Sequence, residues 1–400
     1  GEDGRVQLAG EVDARDRGDA LAGETTGGQI DVTGTLIALT DATLDASGAA
    51  AGGTVQIGGE QQGRGELQRA RAVVVDEGST VRADATQEGD GGRVIVFAED
   101  LASIRGTLSA TGGTQGGDGG FVETSGLRHL DLGTSPDVSA TEGDGGDWLI
   151  DPYSVEIVAD DADPGPGFRC EPGASCFNRA ISAIVSPGFD SVAFDDILRT
   201  TGTTDGSAGA LPNNQVSVDL LKRALSAGIS VTLSTEVFDE TATNPPEGPG
   251  ISNADALAGL PLSNGDIRVA TNLVFDNAEV LAGTRATLTL LAAGSIFVNG
   301  EIRSGETGGG APEAANLALS LAFRANDLSQ RPGTAGYDDD LLRGSVYLND
   351  DINTGGGSLD ASGISVEQAG GTTIETRGGD VRFTSGSIGP DQSPVLFGRN

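Results

Sequence analysis

Over the first 150 residues, apolar side chains fall at every second position in short runs, and a pair of glycines opens each run. The runs are GGQIDV, GGTVQI, GGRVIV, GGFVET and GGDWLI, starting at Gly27, Gly52, Gly91, Gly119 and Gly145. The second and fourth residues after each pair are Ile30 and Val32, Val55 and Ile57, Val94 and Val96, Val122 and Thr124, Trp148 and Ile150, nine of ten apolar. The first and third are mostly polar. Alternation of period two predicts strands with one buried face. In GGFVETSG it turns Val122 and Thr124 inward and Phe121 and Glu123 outward.

A second element, aliphatic-any-Ala, accompanies each glycine pair at Val12–Ala14, Leu44–Ala46, Val81–Ala83, Leu108–Ala110 and Val138–Ala140. From glycine pair to the next such element the spacing is 17, 29, 17 and 19 residues, so one corner absorbs insertions. EQQGRGELQRA, residues 60–70, is the excess in the long case. A repeat of 25 to 39 residues made of short strands and polar glycine corners cannot close a core alone and must stack on its neighbours. The expected fold is all-β, a parallel β-helix rising about 4.8 Å per coil.

The far half carries a different signature. GSIFVNGEIRS (294–304) and GSVYLNDDINT (344–354) align at an offset of 50 residues, GDIRV (265–269) matches GDVRF (379–383), and ATLTLLAAG and NLALSLAF supply further strands. In SVDLLKRALSAG (217–228), Leu220, Leu221, Ala224 and Leu225 lie on one helical face, with Ser217 or Asp219 as cap and Gly228 as terminator. The expected organisation is glycine-pair coils over 1–158, a loop-rich excursion over 159–216, and the short helix with further coils over 217–400.

Composition narrows the function. A formal charge of −35 opposes binding to nucleic acid or anionic membranes, and no apolar run approaches the roughly 20 residues that span a bilayer. The absence of methionine implies a chain that begins inside a longer polypeptide. The only cysteines, Cys170 and Cys176 in CEPGASC, lie close enough for a disulfide; with His129 the only histidine, they supply half a zinc site.

GGFVETSG, GGDWLIDPYSVEIV, LLKRALSAGISVTLST and GSIFVNGEIRS together resemble the filamentous-haemagglutinin-like exoproteins of Gram-negative two-partner secretion. Trp148-Leu149-Ile150-Asp151-Pro152 is the most specific part of the likeness. The resemblance implies a right-handed β-helix, export through a dedicated outer-membrane transporter, and a secreted or cell-surface adhesin that binds a ligand on a host or neighbouring cell, carbohydrate or protein. The implied function is a structural stalk and adhesion module, without enzyme activity or cofactor.

Three candidate chemistries compete with a purely structural reading. Arg17-Gly18-Asp19 is an integrin-type tripeptide in a variable corner. Asp90, Asp118 and Asp144, with Glu88, Glu142 and Asp147 nearby, recur at one corner of successive coils, where stacked carboxylates could take calcium; Gly-Asp is also ordinary turn chemistry. A carbohydrate-active β-helix enzyme, lyase or hydrolase, is the alternative function, with Asp195 and Asp196, Asp160, Asp161 and Asp163, or Asp338–Asp340 as acids. No base or paired motif stands beside these acids in the sequence.

Overall fold

The computed structural model describes residues 4–16, 25–159, 214–235, 265–305, 316–325 and 344–385. The described residues form two compact units that divide between Asp151 and Pro152. The class is all-β with parallel sheets and one α-helix.

The first unit holds β1 (Arg5–Asp13), β2 (Gln29–Val32), β3 (Leu36–Asp45), β4 (Thr54–Ile57), β5 (Ala72–Val75) and β6 (Thr80–Arg82). It continues with β7 (Arg93–Ala98), β8 (Leu101–Ile104), β9 (Thr107–Ser109), β10 (Phe121–Gly126), β11 (His129–Leu132) and β12 (Asp147–Ile150). The glycine-pair strands line up in the order β2-β4-β7-β10-β12, and the rest in the order β11-β8-β5-β3-β6-β9, with β1 also on β3. Strand pairing within the unit is parallel. Because parallel neighbours cannot be joined by a tight turn, each glycine-pair strand meets its partner only after the chain has passed through the other sheet.

Register is kept residue for residue. Val55, Val94, Val122 and Trp148 form one inward column; Ile57, Val96, Thr124 and Ile150 form the next. All eight are buried, and each large aliphatic contributes about 1.5–3 kcal/mol relative to exposure. Thr124, the single polar member, is accounted for by Trp148, whose indole Nε1–H donates to Thr124 Oγ1 at 2.9 Å. A buried indole needs such an acceptor.

The glycine pairs serve close approach. None of Gly52, Gly53, Gly91, Gly92, Gly119 or Gly120 has positive φ. A Cβ on Gly53 would overlap the Gly28 carbonyl, one on Gly92 the Gly53 carbonyl, and one on Gly120 the Gly92 carbonyl. The second glycine of a pair also ties the two repeat elements together. Gly53 N–H donates to Ala46 O, Gly92 N–H to Ala83 O and Gly120 N–H to Ala110 O, at 2.7–2.8 Å.

The second unit holds β13 (Val155–Val158), β14 (Asn214–Ser217), α1 (Val218–Ser226), β15 (Ser230–Ser234), β16 (Ile267–Val269), β17 (Leu273–Phe275), β18 (Thr284–Ala292) and β19 (Ile296–Val298). Then follow β20 (Ile302–Ser304), β21 (Leu317–Ala325), β22 (Val346–Leu348), β23 (Ile352–Asn353), β24 (Leu359–Gly363), β25 (Val366–Gln368), β26 (Ile374–Glu375) and β27 (Val381–Ser385). Strand orders are β15-β18-β21-β24-β27, β14-β13-β16-β19-β22-β25 and β17-β20-β23-β26. The 50-residue offset is structural: Ile296 pairs with Val346 and Phe297 with Tyr347, and Asn349 Nδ2 donates to Asn299 Oδ1 at 2.9 Å, 50 residues away. The GDIRV and GDVRF match is not structural, because Ile267 lies in β16 and Val381 in β27, strands of different sheets.

The helix forms as its sequence dictates. Ser217 Oγ caps it by accepting from Asp219 N–H at 3.2 Å, Gly228 leaves it at φ +80°, and Val218, Leu220, Leu221, Ala224 and Leu225 are buried.

Candidate functional site

The corner carboxylates come together as a ladder. Asp118 N–H donates to Asp90 Oδ1 and Asp144 N–H to Asp118 Oδ1, both at 2.8 Å. The aspartate carbonyls are used as well: Gly52 N–H donates to Asp90 O, Gly91 N–H to Asp118 O and Gly119 N–H to Asp144 O. The Asp90 and Asp118 side chains thus each accept the amide of the next aspartate in the ladder, satisfying a backbone donor that a corner would otherwise leave to water. Among the described residues no group of three or more His, Cys, Asp or Glu is arranged to hold a metal ion. Arg17, Gly18 and Asp19, Cys170 and Cys176, and the acids at 160–163, 195–196 and 338–340 lie outside the described residues.

A second polar cluster lies on the outward side of β7, β10 and β12. The outward columns are Ile95, Glu123 and Leu149, then Phe97 and Ser125, with Asp151 just past the end of β12. Glu123 is outward in register, as its alternation requires, yet it and Asp151 are both 0 % exposed. Outward therefore does not mean solvated here.

The cover is the 60–70 insertion. Ala70 N–H closes its base onto Gly58 O at 2.8 Å, making a compact Ω-type loop. Gly59 and Gly63 lie against the Phe97 ring, leaving no space for side chains of their own. At the tip Gln62 adopts φ 56°, ψ 28°, a left-handed conformation uncommon outside glycine and costing about 1–3 kcal/mol.

That conformation aims Gln62 at both acids. Its backbone N–H donates to Glu123 Oε1 at 2.9 Å and Oε2 at 3.1 Å, and its Nε2 donates to Asp151 Oδ2 at 3.0 Å. Ser125 Oγ bonds Glu123 Oε1 at 2.7 Å. At the rim, Arg93 Nη2 donates to Gln61 Oε1 at 2.7 Å, and its guanidinium sits 4.5 Å above the Phe121 ring. Burial pushes the Glu123 carboxyl up to about 8, the Ser125 bond opposes that rise, and the charge of Asp151 adds to it.

The insertion and the outward position of Glu123 are each legible in the sequence, but nothing in it joins them. The one available signal was an acid at the third position after the glycine pair, where the neighbouring coils have Ile95 and Leu149.

In the second unit, Glu156, Arg268, Phe297, Tyr347 and Glu367 occupy one column across β13, β16, β19, β22 and β25. Arg268 Nη1 bonds Glu156 Oε1 at 2.8 Å, and Phe297 and Tyr347 stack with centroids 5.1 Å apart. Burial raises the Tyr347 hydroxyl above its ordinary range, opposed by a bond with Ser345.

Compared with known protein families and with curated proteins, the chain matches none.

Proposed function

We propose that this chain is a structural stalk and adhesion module of a large secreted or surface-exposed bacterial exoprotein, folded as a right-handed parallel β-helix. The single observation that carries the reading is the residue-for-residue parallel register, repeated through glycine-pair columns that fit against the backbone of the neighbouring strands. Such columns do one thing, which is to stack identical units. Length variation is confined to corners and to the 60–70 insertion, where exposed residues would carry partner specificity. Its ligand would be a carbohydrate or protein on a host or neighbouring cell, and its export would use an outer-membrane transporter; both follow from the family resemblance.

The carbohydrate-active enzyme is the second reading, and Glu123 is what favours it. A carboxyl that keeps its proton near neutral pH beside a second carboxyl is the arrangement used for glycoside hydrolysis. Against it, both acids are sealed, and a sugar cannot reach a fully buried pair. The test pairs binding of the purified chain to immobilised cell-surface glycans and proteins with depolymerisation assays on acidic and neutral polysaccharides. Saturable binding without turnover supports the adhesion module. Turnover lost in Asp195→Asn or Glu123→Gln would replace it.

A further inference from the structure

We propose that the strap formed by residues 59–70 is a cover latched through Gln62 onto Glu123 and Asp151, and that it opens when both carboxyls are ionised. The latch is a junction of three elements. Gln62 comes from the strap, Glu123 from β10 and Asp151 from the end of β12, and both acids are 0 % exposed. The groups facing Glu123 are few: Asp151 from β12, the Gln62 amide from the strap, Ser125 from its own strand, and Arg93 from β7. Arg93 is held to Gln61 and the Phe121 ring at the rim. Of the strap's own two acids, Glu60 is turned back into it, accepting from the amides of Glu66 and Leu67 at 3.0 and 3.2 Å, and Glu66 is exposed.

With one proton on Glu123, Gln62 bridges a neutral acid and a single carboxylate, and the cover sits at low electrostatic cost. With none, two negative charges share a space closed to bulk solvent, and the path of least cost is to lift the strap and expose them. The left-handed backbone of Gln62 favours the same outcome, since release lets that residue relax. Lifting uncovers Phe97, against whose ring Gly63 of the closed strap packs.

Trypsin provides the readout, because Arg64 and Arg69 lie in the strap and are exposed, whereas Arg382 lies in β27, is also exposed, and serves as an internal reference. The expected result is that cleavage after Arg64, normalised to cleavage after Arg382, rises at least tenfold between pH 7 and pH 9. Glu123→Gln abolishes that rise. Asp151→Asn does so too, and serves as the second variant should Glu123→Gln fail to fold, since it removes the other charge and retains an oxygen acceptor for Gln62. A flat normalised rate in the wild-type chain overturns the proposal, and so does an equal rise in a folded Glu123→Gln or Asp151→Asn chain.

Discussion

The two faces of the sheet β4-β7-β10-β12 are built from the same strands and obey different rules. On the inner face each column is apolar in every strand except at Thr124, and that exception is matched by the neighbouring Trp148. On the outer face the column Ile95, Glu123, Leu149 mixes an acid with aliphatics, and all three are buried. What separates the faces is the source of their burial. The inner face is covered by repetition, so its sequence repeats. The outer face meets a single strap at Phe97, Glu123 and Asp151, so its sequence does not repeat there and its chemistry is local.

The sharpest way to break the inner rule is to add a methyl group where neighbouring strands touch. Gly120→Ala places a Cβ on the carbonyl of Gly92. Neither backbone can move without breaking the ladder, so a loss at or above about 4 kcal/mol is expected, measured as a collapse of the urea midpoint or failure to fold. Gly370→Ala is the contrast, because no atom lies within 4 Å of the added Cβ and φ is not positive. Its midpoint should move by less than about 0.5 kcal/mol. Equal effects at the two sites would mean that the columns do not carry the stacking.

The next effect belongs to the outer face and depends on pH. In the unfolded chain Glu123 ionises near 4.5, and in the folded chain it holds its proton until about pH 8. The folded state therefore binds more protons between those values. The contribution is whole below pH 4.5, shrinks as pH rises to 8, and is level above that, a total of about 5 kcal/mol. His129 works the other way. Burial lowers it from 6.5 to about 4, so it contributes stability above pH 6.5 that is lost as pH falls toward 4. Subtracting the curve of Glu123→Gln from that of the wild type cancels His129 and leaves Glu123. Parallel stability curves for the two chains would remove the acid from the account.

Pairing across the inner face gives a smaller effect. Trp148→Phe leaves Thr124 Oγ1 buried without its donor, and Thr124→Val leaves the indole N–H buried without its acceptor. Each should cost about 1–3 kcal/mol, with a coupling of about 1 kcal/mol in a double-mutant cycle. Additive losses would show that the two side chains are buried independently.

These contrasts explain what could be read from the sequence. Glycine pairs, inward alternation, the capped helix and the Asn299 to Asn349 offset are all local or periodic, and period survives in a string of letters. Ala72–Val75, Leu101–Ile104 and His129–Leu132 escaped notice because they are nearly or fully buried along their length, which erases alternation. Glu123 and Asp151 escaped because their cover is 61 and 89 residues away at Gln62, with nothing periodic to link them. GDIRV and GDVRF misled for the opposite reason: five similar residues can serve two different sheets.

The smallest effect separates the two meanings of the corner ladder. If Asp118 serves only to accept the amide of Asp144, then Asp118→Asn keeps an oxygen acceptor and removes one charge from a column of like charges. Its stability should stay within about 0.5 kcal/mol of the wild type, whereas Asp118→Ala should lose about 1 kcal/mol with the bond. A calcium ladder reverses that order of outcomes, because an amide is a far poorer ligand than a carboxylate and the ion supplies most of the stability. Melting temperatures with calcium and with chelator decide between them. The ladder reading expects no shift in either direction and a small Asn effect. A chelator-induced fall matched by Asp118→Asn would convert the ladder into a metal site.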